Sequence, residues 1–85
     1  MQFVKGKIVQ SKAGHDKGMY CVVVSVEGKF AYICDGKRRK LENPKKKKLI
    51  HLAPTGILLE ESMMQTDKQI RRSLSKWNGN DGSSI

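Results

Sequence analysis

The sequence predicts a small, mainly β domain, a barrel or sandwich, completed by one C-terminal helix. Three observations predict it. The chain has 85 residues, enough for one domain with one modest core. Its N-terminal part divides into short β-prone runs separated by Gly-containing turns, the pattern of small all-β folds. Its C-terminal part carries a helix start signal followed by apolar residues at helical spacing.

Phe3–Ser11 is β-prone around Ile8 and Val9. Lys12–Gly18 reads as a loop in which Gly14 and Gly18 allow positive φ at a tight bend. Met19–Val26 places Tyr20, Val22, Val24 and Val26 on one face, the period of a half-buried strand. The short Glu27-Gly28-Lys29 turn implies an antiparallel hairpin. Phe30–Cys34 is the third strand, with Phe30, Tyr32 and Cys34 on one face and Ala31 and Ile33 on the other. Asp35-Gly36 is a turn, and Lys37–Glu42 is expected to form a short strand with Leu41 inward.

Asn43-Pro44 breaks that strand, and Lys47–Leu52 reads as the last one, carrying Leu49, Ile50 and Leu52. Ala53-Pro54-Thr55-Gly56 is a break, and Ile57–Gln65 is ambiguous between strand and helical turn. Thr66-Asp67-Lys68-Gln69 fits a capping box. Ile70, Leu74 and Trp77 form one apolar stripe at i, i+4 and i+7, ended by Asn78-Gly79. The domain expectation is residues 1–54 as the β unit, 55–78 as a helical extension and 79–85 as a disordered tail.

Charge supplies the first functional clue. Seventeen Lys and Arg oppose eight Asp and Glu, a net of +9, and a pI of about 9.9 points to a polyanionic partner. Residues 37–48 hold eight basic residues against Glu42 alone, a net of +7, so one stretch supplies most of it. Lys37, Arg38, Arg39 and Lys40, then Lys45, Lys46, Lys47 and Lys48, suit phosphate neutralisation with counterion release. The two arginines add bidentate bonding or stacking on bases. The competing readings are a solvated charge run and, for Pro44–Lys48, a nuclear localisation pattern.

The loop Gly14-His15-Asp16-Lys17-Gly18, framed by Gly6-Lys7-Ile8-Val9 and the strand from Met19, presents Lys12, His15 and Lys17 on a strand–loop–strand element. Such a loop brings backbone N–H groups and short side chains near phosphates or base edges. From Gly6 to Val24 it resembles a KOW motif, found in ribosomal proteins and transcription elongation factors. With Asp35-Gly36, Lys37–Lys40 and Pro44–Leu52, residues 4–52 resemble the small bacterial KOW-domain RNA-binding proteins. These are related to a KOW family of archaeal and eukaryotic large-subunit ribosomal proteins. The resemblance implies an SH3-like β-barrel, RNA binding and no catalytic residues. It also implies that Gly14–Gly18 and the basic segment after Asp35-Gly36 face RNA.

The expected RNA-binding set is therefore Lys12, Gly14, His15, Asp16, Lys17, Gly18, Lys37–Lys40 and Lys45–Lys48. Ribosomal RNA or another structured RNA is the expected partner, with possible ribosome association. Tyr20, Phe30 and Tyr32 lie on strands where alternation favours core packing, which argues for recognition through RNA backbone and shape.

Enzyme signatures are not found. Gly14–Gly18 lacks the Gly-Lys-Ser/Thr of a P-loop, and no nucleophile–base set can be argued. His15 and His51 have no partner at ligand spacing; His51 is placed in a strand. The expectation is no catalytic residue, no metal, no cofactor, no small-molecule substrate and no membrane. Cys21 and Cys34 read as buried strand residues, and MQFVKGKIV lacks the apolar core of a signal peptide, so the expected compartment is the reducing cytoplasm. The alternative function is a protein-binding adaptor of the translation or transcription machinery, using a barrel edge or a helix displaying Trp77.

Overall fold

Five strands form one antiparallel sheet in the order β4-β3-β2-β1-β5. They span Lys7–Ser11 (β1), Tyr20–Glu27 (β2), Phe30–Cys34 (β3), Lys45–Lys48 (β4) and Leu52–Leu58 (β5). A computed structural model describes residues 3–79. The β2–β3 hairpin pairs Glu27 with Phe30 around Gly28-Lys29, as the short turn requires.

The sheet is curled. Its two edge strands, β4 and β5, are joined only by the 3-10 turn Leu49–His51. Four residue steps reach at most about 14 Å, whereas the edges of a flat five-stranded sheet stand about 19 Å apart. Bulges between Val23 and Ser25 and between Lys7 and Val9 supply local bend and twist. No β4–β5 pairing closes the sheet among the described residues.

Curling lets one small sheet bury both faces. On one face Val9, Cys21, Val23, Ala31, Ile33 and Leu52 pack together, with Phe3 and Leu49 against them. On the other, Ile8, Val22 and Cys34 meet Met64, Ile70 and Leu74. The second group contains both buried residues of the helix α1, Asp67–Asn78. Burying Ile70 and Leu74 fully contributes about 1.5–3 kcal/mol each, so α1 is part of the core rather than an appendage.

Local chemistry places that helix. The Thr66 side chain accepts the Gln69 N–H at 3.1 Å, and the Gln69 side chain accepts the Thr66 N–H at 3.2 Å, the reciprocal box expected of this sequence. At the other end Gly79 adopts φ 61° and its N–H bonds to the Ser75 carbonyl. The Asn78 amide accepts from the Tyr20 N–H at 2.8 Å and donates to the Tyr20 carbonyl at 3.0 Å. Trp77 packs on Tyr20 with ring centroids 5.8 Å apart.

Several sequence expectations are corrected. Lys37–Glu42 forms bends and a turn, not a strand, because its backbone donors are taken locally by Asp35; Leu41 still packs inward. The expected last strand Lys47–Leu52 is instead the end of β4, a 3-10 turn and the start of β5, which leaves Ile50 72% exposed. Ala53–Gly56 is not a break. β5 runs through it and past the expected boundary at 54, with Pro54 paired to Val9 on an edge strand, where a missing N–H is tolerated.

Strand β2 is buried on both faces around Cys21, Val22 and Val23, and its bulge leaves Val26 exposed. Phe30 and Tyr32 are not core residues: the cluster beneath α1 takes in Cys34 but neither ring. His51 lies in the 3-10 turn, not a strand. The two thiols are buried on opposite faces of the sheet. The expected tail at 80–85 lies outside the described residues.

Candidate nucleic-acid interface

Three segments, one of them distant in sequence from the other two, meet around one carboxylate. Asp16, in the loop between β1 and β2, is 5% exposed. Arg39 Nη2 lies 3.5 Å from it, Arg38 Nη1 3.8 Å and Lys45 Nζ 3.9 Å. At such distances each ion pair attracts by about 1 kcal/mol in water and about 4 kcal/mol near a protein surface, before desolvation. Three cations together offset the cost of burying one carboxylate. Asp16 Oδ2 and Arg39 Nε are buried without hydrogen-bond partners, so the cluster is held by charge more than by bond geometry.

The 12–18 loop is shaped by its own backbone. Lys17 N–H bonds to the Gly14 carbonyl, Gly18 N–H to Ser11 and Met19 N–H to Asp16, at 2.8–3.1 Å. Gly14 and Gly18 take φ of 82° and 91°. Lys12, Gly14, His15, Lys17 and Gly18 are exposed, while Asp16 points inward. Asp16 therefore belongs to the support of the loop rather than to its outer surface.

The 35–40 turn is built in the same way. Buried Asp35 accepts the N–H groups of Lys37, Arg38 and Arg39 through one oxygen, at 2.9, 3.0 and 2.9 Å. Its own N–H and that of Gly36 bond to the Arg39 carbonyl. With the backbone held this tightly, Lys37, Arg38 and Lys40 project to solvent and Arg39 is half-buried.

Strand alternation divides the lysine run, which does not act as one patch. Lys45 and Lys47 face the 12–18 loop. Lys47 is 8% exposed and donates to the Ala13 carbonyl at 2.8 Å, so its ammonium ties β4 to the loop. Lys46 and Lys48 lie on the opposite face. Lys46 sits 4.5 Å from the centroid of the Phe30 ring, and Lys48 borders a shallow apolar depression with Lys29, Phe30 and Ile50.

One basic feature was outside the expected set. Lys68, Arg71 and Arg72 share a face of α1 and, with Lys37, line an open groove of about 480 Å³. Their i, i+3, i+4 spacing away from the apolar stripe was the available signal; the approach of Lys37 was not readable locally. Trp77, the expected anchor of an adaptor, is half-buried against Tyr20.

Among the described residues no three His, Cys, Asp or Glu side chains gather as a metal site. No described helix is long and apolar enough to cross a membrane. Burial, reinforced by Asp35 and Asp16, pushes the Cys21 thiol up to about 12; burial, reinforced by Asp67 and Asp35, does the same to Cys34. Neither thiol is poised as a nucleophile. Comparison with protein-family models and with curated proteins finds no match to this chain.

Proposed function

We propose that this chain is a non-enzymatic RNA-binding module of the KOW type, an SH3-like barrel that docks on ribosomal or other structured RNA in the cytoplasm. The observation that carries the reading is the convergence on Asp16 of the 12–18 loop, the 37–40 turn and β4. It gathers part of a linear charge run beside the loop, with Lys12, Lys17, Lys37, Arg38 and Lys40 as the outer cations and Lys46 and Lys48 left on the other face of β4. The curl linking β4 to β5 supports the barrel, and the resemblance of residues 4–52 to KOW-domain proteins points the same way. Buried Lys47 and Asp16 serve the framework, and the exposed cations contact phosphates.

The test is equilibrium binding of a fluorescently labelled, folded ribosomal RNA fragment across a range of salt concentrations. With about five phosphate contacts, log K falls against log[salt] with a slope of roughly −4. Lys17→Ala combined with Lys40→Ala flattens that slope by about 1.5. Binding that is absent, or insensitive to salt, rejects the function.

A further inference from the structure

The groove between the 35–40 turn and α1 has a composition that no packing role explains. Its four described lining side chains, Lys37, Lys68, Arg71 and Arg72, are all basic, and Lys37, Lys68 and Arg72 are exposed. One oxygen of each nearby carboxylate holds backbone: Asp35 accepts three N–H groups of its own turn, and Asp67 accepts the Leu41 N–H at 2.8 Å. Gathering the exposed cations Lys37, Lys68 and Arg72 costs repulsion, which an anion seated among them reverses.

A close backbone approach fixes the groove. Gly36 abuts the helix backbone so tightly that a Cβ there would collide with the Asp67 carbonyl and stand 2.9 Å from the Arg71 nitrogen. This contact holds Lys37 beside the basic face of α1. Lys37 also belongs to the turn that sends Arg38 and Arg39 to Asp16, so groove and interface share one rigid turn. The Arg72 guanidinium fork and the ammonium groups of Lys37 and Lys68 match the several acceptors of a phosphate. The described lining has no aromatic ring on which a base would stack.

We infer that this groove is a second phosphate-binding site, which takes backbone phosphates of the same RNA and carries its path from the 12–18 loop onto α1. The inference rests on the RNA-binding reading and adds the helix to its footprint. The experiment measures salt-dependent binding of the folded ribosomal RNA fragment to the wild type, to Lys68→Ala/Arg72→Ala and to the charge-preserving Lys68→Arg/Arg72→Lys. Circular dichroism and thermal melts establish that each variant is folded.

The alanine pair flattens the salt slope by about 1.5, corresponding to two lost phosphate contacts, while the charge-preserving pair keeps the wild-type slope. A wild-type slope in the folded alanine pair overturns the groove and leaves the RNA-binding function standing. Equal loss in both pairs also overturns it, since the effect then follows packing rather than charge. No salt-dependent binding by the wild type overturns both.

Discussion

Replacing Gly36 by Ala tests how the turn, the helix and the groove are joined. Gly36 has φ 80°, a region that costs an L-residue about 1–2 kcal/mol. The added methyl would collide with the Asp67 carbonyl and lie 2.9 Å from the Arg71 nitrogen. Both are backbone atoms of a helix fixed by its cap and by buried Ile70 and Leu74, so relief requires moving α1. Overpacking of this kind costs about 1–3 kcal/mol, giving a total near 3 kcal/mol.

Gly18→Ala is the matched control. Its φ is +91° but nothing lies within 4 Å of the Cβ position, so only the backbone cost of about 1–2 kcal/mol remains. Thermal unfolding followed by Trp77 fluorescence and by circular dichroism measures both. Gly36→Ala is expected to lower the melting temperature by about 12 °C or more, at roughly 4–8 °C per kcal/mol for a domain this small. Equal destabilisation of the two variants would refute the close approach and the placement of Lys37 that depends on it.

Two further predictions concern charge. Asp16→Asn leaves Arg38, Arg39 and Lys45 around a neutral group and costs about 2 kcal/mol, less than a fully buried pair because Arg38 is 58% exposed. The deficit should shrink when urea midpoints are measured in high salt, and a deficit indifferent to salt would count against the charge cluster. The thiols of Cys21 and Cys34 are raised from 9.0 to about 12, so the native state keeps protons that the unfolded chain releases. Their stabilisation is present below pH 9 and is lost as pH rises toward 12, by about 1 kcal/mol per thiol at pH 10. Urea midpoints compared between pH 8 and pH 10 should fall less in Cys21→Ala/Cys34→Ala than in the wild type.

What the sequence determined by itself is what short-range rules encode. The β2–β3 hairpin follows from a two-residue turn between alternating strands, the start of α1 from a four-residue box, and its buried stripe from spacing. The clustering of charge in residues 37–48 was equally plain. Tertiary structure decided the rest because the deciding partners are distant. Lys45–Lys48 became a strand by pairing with Phe30–Ile33, although lysine favours no strand alone. Pro54 entered β5 because that strand lies at an edge, a position no local pattern announces.

The interface divides in the same way. Which residues are basic is written in the chain, but which of them reach solvent is not. Asp16 is buried because Arg38, Arg39 and Lys45 surround it, and Lys47 is withdrawn because the Ala13 carbonyl captures it. Lys37 joins Lys68, Arg71 and Arg72 because Gly36 lets one backbone touch another. Local sequence sets conformational preference and charge; the burial of a charge and the company it keeps depend on chain segments that only the folded sheet brings together.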